Sequence, residues 1–463
     1  MSNEKEQFEE VQASSKKMAS WACGTIIGFY LEIAYATFIF FFYEVEMGLP
    51  VIYVGLALVI FAIWNAINDP LIGYLTDRPF KWSEKRGFRF PWIMIGVFPT
   101  LICYLILYTP PVGADNITLF FYLIITLCLF DLVFSLFYVH YYGSFTMQFR
   151  TDEERRKAGA YSSFIPSIGA LGVSIIPPIF IVFGDRESYA LAALLVVIVL
   201  AIFAIISIPG VRETQEITTI YIQAYKSAEK VSFFGTLRTA LKNKNFRAYT
   251  FGLLLVETCW IMGVASELYV FKHILGVPYS YALISILTGF LAFAVAVPFW
   301  FWVAKKIGHA KAYKLGTLLF GLTQIPYIFV NTFIEYVIFY TIAGVGWSAV
   351  SVISFAIFAD VSDEVALSME KRLESTLTGI RVFVMRLSVI ITAIVIVSVH
   401  IMTGYNPDAT AQTPLATWGI RLHFAVIPAL VVFVAFIVLI KWYDLEGEKK
   451  EKLFAALESK GLR

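Results

Sequence analysis

Apolar runs of about twenty residues recur along the whole chain with short polar segments between them, and each is long enough to cross the hydrocarbon of a bilayer as a helix. Twelve spans are predicted: 19–43, 51–76, 91–109, 118–146, 159–183, 187–208, 246–271, 279–304, 311–330, 334–359, 376–402 and 415–442. The pattern implies an all-α integral membrane protein, because a helix satisfies its own backbone polar groups where no water can. Composition agrees, with 59% hydrophobic and 15% charged residues, against about 25% charged in an ordinary soluble domain. The opening MSNEKEQFEEVQASSKK is too polar and acidic for a cleaved leader, so the first span is expected to be retained. Cys23, Cys103, Cys128 and Cys259 all fall in predicted spans. They form no CxxC pair and no metal spacing, so they read as packing thiols, and no structural metal is expected.

Charge then sets orientation. The second-to-third loop holds Arg78, Lys81, Lys85, Arg86 and Arg89, and the fourth-to-fifth holds Arg150, Arg155, Arg156 and Lys157. Segments 43–50, 109–117 and 403–414 contain no Lys or Arg. By the positive-inside rule the basic loops and both termini are expected on the cytoplasmic side of a multi-pass protein, with the cell membrane as its expected site. The longest connection carries further basic residues and divides the chain into residues 1–209, a six-helix bundle, a cytoplasmic linker over 210–245, and residues 246–463, a second six-helix bundle with a cytoplasmic tail. Two related bundles with a site between them are a common carrier plan.

The polar groups inside the spans are the candidate chemistry, since an ionised side chain at the bilayer centre costs about 2.5 to 3.5 kcal/mol on insertion scales. Asn65, Asn68 and Asp69 share one helix face. Pro70 leaves the carbonyl of Ala66 without its usual donor. Carboxylate, amide and carbonyl oxygens suit a small hard cation, or a proton on Asp69. Arg381 and Arg386 in the eleventh span supply the opposite charge. Arg386 lies about 21 Å along the helix from Arg372, too deep to reach water easily, and is expected to act as a counter-charge. Arg381 either joins it or snorkels back to the headgroups. Glu32 and Tyr35, Asp131 and Tyr138, Glu257, and the stripe of Trp347 and Ser351 are candidates for a substrate path, with helix packing as the alternative for the stripe. Asp77, Arg78, Arg89, Asp360, Asp363 and Arg372 near the cytoplasmic surface suit a salt-bridge gate or a solvated turn. The five histidines are scattered, and no HExxH, GxSxG or phosphate-loop pattern occurs, which argues against an enzyme.

WNAINDPLIGYLTDR followed by KRGFRFPW resembles the second-span signature of the glycoside-pentoside-hexuronide:cation symporters, the melibiose permease group of the major facilitator superfamily. FADVSDEVALSMEKRLESTLTGIRVFVMR and FRTDEERRKAGAYSSF resemble two further segments of that family, and the signature is shared with sodium-dependent lysolipid carriers. The resemblance implies the major facilitator fold of twelve helices and cation-coupled symport of a sugar or glycoside by alternating access. A carrier of lysolipid or another amphiphile is the alternative, and a membrane sensor without flux a more distant one. It implies no cofactor beyond a transported Na+ or H+. The implied partners are a small-molecule substrate, the coupling cation and the lipid bilayer, for a monomer that binds no nucleic acid. Asp69 matches the second acid of the family's cation site, and Asn68 an asparagine beside it. Two departures matter. Asn65 stands where the family has its first cation-site aspartate, and Arg386 where it has a lysine. The family's sugar-contacting aspartates fall near Phe29 and Val139, with Glu32 and Asp131 displaced from them.

Overall fold

The computed structural model describes residues 13–76, 78–149, 151–219, 222, 233–370 and 374–460. Its long helices are α1 (Ser15–Phe41), α2 (Val51–Thr76), α3 (Phe90–Leu107), α4 (Asn116–Gln148), α5 (Asp152–Ser174) and α6 (Arg186–Val211) in the first half. The second half holds α7 (Lys244–Tyr269), α8 (Ala282–Ile307), α9 (His309–Gln324), α10 (Phe333–Met369), α11 (Glu374–Thr403) and α12 (Pro414–Trp442). Eleven helical segments among the described residues are long and apolar enough to cross a membrane. The ninth predicted span differs, because its α-helix stops at Gln324 and tightens into a 3₁₀ turn over Ile325–Phe329. Pro326 explains the stop, since it brings no N–H for the preceding turn.

Side-chain caps fix where several of the other helices begin. The Asp115 side chain accepts the Thr118 N–H at 2.9 Å at the start of α4. Thr151 with Glu154, and Thr332 with Glu335, form reciprocal capping boxes on α5 and α10. α10 also departs from expectation: the predicted end at residue 359 is helical to Met369, and Glu370 terminates it at φ 53°. The predicted linker is partly helical, with an α-helix over Phe233–Ala240, while α6 itself continues to Val211. The tail forms a helix over Glu448–Ser459 that buries Leu453 and Leu457 against the second bundle.

Apolar residues cover the outside of the helices as well as filling the core. On α2 the residues Ile52, Leu56, Ile60, Ile63, Ile67, Leu71 and Leu75 recur every three or four positions and are all exposed. This is a lipid-facing stripe. Asn65 and Asn68 on the same helix are buried. Small residues let helices of one bundle touch closely. A Cβ on Gly96 would come within 2.5 Å of the Phe137 backbone nitrogen, one on Gly210 within 2.1 Å of the Trp21 nitrogen, and one on Gly344 within 2.8 Å of the Gly289 carbonyl oxygen. These seams join α3 to α4, α6 to α1 and α10 to α8, as is common where no hydrophobic force drives helices together. Between the bundles the main contacts are α1 with α7 and α2 with α11.

Candidate functional site

α2 packs on α4, and residues spaced three and four apart on each helix meet face to face. Asn65 Nδ2 donates to Asp131 Oδ1. Asn68 Nδ2 donates to Asp131 Oδ2 at 3.0 Å and to its backbone oxygen at 3.3 Å. Ser135, one turn beyond Asp131, donates to Asp69 Oδ1. From α11, Arg386 Nη2 lies 2.7 Å from Asp69 Oδ2, and its Nη1 lies 4.0 Å from Asp131 Oδ1. Asp131, expected on the substrate path, is thus part of the Asn65–Asn68–Asp69 cluster and is buried. Both asparagine amides spend their N–H groups on the carboxylate. Their oxygens, Asn65 Oδ1 and Asn68 Oδ1, are buried without a hydrogen-bond partner. Unused buried acceptors carry a desolvation cost, so two of them beside two carboxylates form a donor set that a cation would satisfy.

The charge extends further across the bundle interface. Glu32 on α1 lies within electrostatic reach of Arg386 and Asp69 and faces Tyr138. Glu257 on α7 lies within reach of both Glu32 and Arg381. Arg381 does not snorkel: its Nε donates to the Tyr249 hydroxyl at 2.9 Å, and its guanidinium lies over Phe355 at 4.5 Å. Four carboxylates (Glu32, Asp69, Asp131 and Glu257) therefore face two guanidinium groups at mid-depth. The excess of negative charge favours one or more bound cations or protons.

The remaining predicted residues are placed as follows. Tyr35 packs edge-on against Phe61 at 5.6 Å, and the Ser351 hydroxyl bonds back to the Trp347 carbonyl at 2.9 Å. Of the cytoplasmic-gate set, Asp77 and Arg372 lie outside the described residues. Arg78 is exposed and lies over the Phe80 ring at 5.3 Å. Arg89 bonds the Met147 sulfur at 3.1 Å, and its backbone N–H bonds Glu213 at 2.7 Å. Glu213 also accepts the Phe88 N–H, and its carboxylate would meet a Cβ on Gly87, whose φ is 100°. Only glycine fits that position comfortably. Asp360 is held at 2.5 Å by Lys450 of the tail helix, and Asp363 is half-buried on the extended α10.

A cavity of about 350 Å³ lies on the other side of the α1–α7 contact, with walls from α1, α5, α7, α8 and α10. Trp347 lines it, stacked on Trp260 at 4.4 Å. The other predicted path residues stand outside its wall. Glu267, which the sequence reading passed over, is among the described residues the one acid in the lining, and no described Lys, Arg or His lines it.

A second buried polar cluster was also missed. Glu44, at the end of α1, accepts the Tyr269 hydroxyl at 2.5 Å and pairs with His400 Nδ1 at 2.9 Å. His400 Nε2 meets His423 Nε2 at 3.2 Å, and His423 Nδ1 meets the Ser266 hydroxyl at 2.7 Å. The four partners come from α7, α11 and α12, so the first bundle is tied to the second at this end. Two of the histidines read as scattered are neighbours here, because α11 and α12 are antiparallel and bring residues 400 and 423 to the same depth.

Two six-helix bundles enclosing a mid-depth charge cluster and a separate cavity define a polytopic membrane carrier. The chain belongs to the MFS/sugar transport protein family, which it matches over residues 19–447. It is a transporter rather than an enzyme. Among relatives, it is 22% identical over 475 residues to sodium-dependent lysophosphatidylcholine symporter 1-A of Danio rerio, covering 92% of this chain and 84% of that one. It is 24% identical over 427 residues to the raffinose carrier protein of Pediococcus pentosaceus, covering 88% and 64% respectively. With the putative sulfoquinovose importer of Escherichia coli (strain K12) it shares 23% identity over 433 residues, covering 90% and 87%. The crystal structure of a POT family transporter in complex with a thioalcohol-conjugated peptide superposes with a TM-score of 0.61 at 13% identity, over 92% of this chain and 94% of that one. That likeness is one of fold.

Proposed function

We propose that this transporter carries an organic solute by cation-coupled symport, with sodium as the ion and Asp69 as the coupling carboxylate. The observation that carries the reading is the pair of idle amide oxygens, Asn65 Oδ1 and Asn68 Oδ1, beside Asp69 and Asp131. Sodium would be held by these groups, with the Ala66 carbonyl freed by Pro70 as a further oxygen. Arg386 already occupies one side of Asp69. It acts as a resident positive charge that the arriving ion displaces, and it cannot itself release a proton. Relatives named as sodium-dependent symporters support the choice of ion.

The solute occupies the cavity. α1 and α7 contribute to both the cavity wall and the charge cluster, so a change in pairing at Asp69 reaches the solute through those two helices. Residues 1–209 and 246–463 rock about the cavity, joined by the linker over 210–245. The basic loops and both termini face the cytoplasm. A second reading concerns the cargo: the largely aromatic and aliphatic lining favours an amphiphile with a continuous apolar face over a polyhydroxylated sugar. The test is uptake into proteoliposomes of radiolabelled melibiose, raffinose and lysophosphatidylcholine, under a sodium gradient and separately under a proton gradient. Wild type is expected to accumulate one solute class under the sodium gradient, and Asp69→Asn to lose accumulation while retaining exchange. Accumulation by Asp69→Asn equal to wild type sinks the coupling role.

A further inference from the structure

Glu267 sits in the cavity wall, 7% exposed, and its Oε1 accepts one hydrogen bond, from the Tyr336 hydroxyl at 2.9 Å. Among the described residues, no cationic side chain lines the cavity with it. Around it stand the rings of Tyr279, Tyr327, Tyr336 and Tyr340, each within electrostatic reach of its carboxylate, and Phe424. The rings pack as a compact group: Tyr327 to Phe424 at 5.0 Å, Tyr336 to Tyr340 at 5.7 Å and Tyr327 to Tyr336 at 6.0 Å between centroids. A carboxylate buried with a single neutral donor and no counter-charge is costly. Ring faces carry negative potential and attract a cation, and they recognise quaternary ammonium groups in this way. A carboxylate backed by ring faces therefore attracts positive charge from two sources and repels an anion.

We propose that this aromatic box binds an ammonium group of the transported solute, so that the cargo is an organic cation or a zwitterion. The inference rests on the reading of the cavity as the solute site. It assigns Glu267 the counter-charge and the rings the shape of the site. It also separates the two positive charges that the carrier handles, with the inorganic ion at Asp69 and the organic one at Glu267. An anionic sugar, or a neutral one, would leave the Glu267 charge uncompensated.

The experiment follows thermal unfolding of the protein in lipid nanodiscs, with choline chloride against its neutral isostere 3,3-dimethylbutan-1-ol and against potassium chloride at the same ionic strength. A ligand that binds only the folded protein raises its midpoint. Choline is expected to raise the midpoint saturably and the isostere to leave it unchanged. Glu267→Gln keeps the acceptor for Tyr336 and is expected to weaken choline by about tenfold or more, as is Phe424→Leu, which removes one ring face. Equal stabilisation by the isostere, or undiminished choline binding by Glu267→Gln, overturns the proposal. If choline fails with wild type while melibiose or raffinose stabilises it through Trp347, as shown by loss of the effect in Trp347→Phe, the ammonium assignment falls and the cavity reading stands. If a solute stabilises the protein and neither Trp347→Phe nor Glu267→Gln alters the effect, the cavity reading falls with it.

Discussion

Asp69 Oδ2 lies 2.7 Å from Arg386 Nη2, and this ion pair joins α2 of one bundle to α11 of the other. Removing the guanidinium leaves Asp69 and Asp131 with no opposite charge between them. Arg386→Ala is therefore expected to destabilise the folded protein by about 3 kcal/mol, the lower end for a broken buried pair, because the Asp69 side chain keeps 22% exposure. Adding Asp69→Asn to that variant is expected to restore part of the loss. Unfolding midpoints of the two single variants and the double variant check it, and a double variant no more stable than Arg386→Ala would show the pair to be unimportant.

Asn65 donates to Asp131, so Asn65→Asp sets two carboxylates against each other. Like charges this close oppose ionisation of both. The variant is expected to be less stable than wild type in choline-free potassium buffer and to gain more from sodium. The readout is the sodium-induced rise in unfolding midpoint, which is expected to exceed that of wild type. An equal or smaller rise would remove Asn65 from the cation site.

Glu44 is expected to hold its end of the cavity shut through Tyr269 and His400. Glu44→Gln weakens that tie. Cys259, a thiol on the cavity wall, reports the consequence in a background where Cys23, Cys103 and Cys128 are serine. An impermeant maleimide added from the Glu44 side is expected to label Cys259 several times faster in the variant. Unchanged labelling would mean that the contact does not control access.

Gly210→Ala drives a methyl group into the Trp21 backbone, a contact that cannot yield as a side chain would. A loss of about 1 to 3 kcal/mol is expected, as for other overpacked sites. Gly73→Ala, which meets nothing within 4 Å, serves as the control and is expected to cost nothing. Thermal unfolding of the two variants side by side decides it.

Asp444, beyond the last span, is partly desolvated, yet its bonds from Lys449 and Lys244 and its contact with Asn245 hold its carboxyl down at about 2. A group held below its ordinary range stabilises the structure above its unfolded pKa, near 3.9, and loses that contribution as pH falls through the folded value. Hydrogen exchange in the tail helix Glu448–Ser459 is therefore expected, after correction for the intrinsic rate, to be unaffected between pH 7 and about 4 and to rise from there toward pH 2. Asp444→Asn is expected to raise it already at neutral pH. A tail equally protected in both proteins would mean that this charge does not anchor it.

The helices and the polar face of α2 were legible in the sequence because membrane length and helical periodicity are local properties. Asn65, Asn68 and Asp69 do share one cluster, with the half-buried acid on the side that meets Arg386. The partner of that face was not legible. Asp131 and Ser135 form a stripe on α4 that fits a solute path as well as a helix contact, and only the packing of α4 on α2 decides between them. Glu44 fell one residue outside its predicted span and read as a loop acid, though π-helical turns carry α1 on to Glu46. Glu267 was inside its span, yet its neighbours in space come from the turns over Tyr279–Tyr281 and Ile325–Phe329 and from α10 and α12. Its signal was simply an acid with no basic residue near it in the span. Pro326 marked the shortened α9 in advance, whereas nothing local marked the extension of α10 through FADVSDE.

The glycine seams have a mechanical consequence. Where backbones touch, as at Gly96, Gly210 and Gly344, neighbouring helices resist sliding past each other, which suits the proposed rocking of each half as a block. In that motion the line along which α1 bears on α7 would be the fulcrum of a seesaw, with the acidic cluster on one arm and the aromatic chamber on the other. On the proposed coupling, a small tilt that narrows the α2–α11 side would widen the α5–α8 side, and an ion beside Asp69 would be felt as a change of aperture around the cargo.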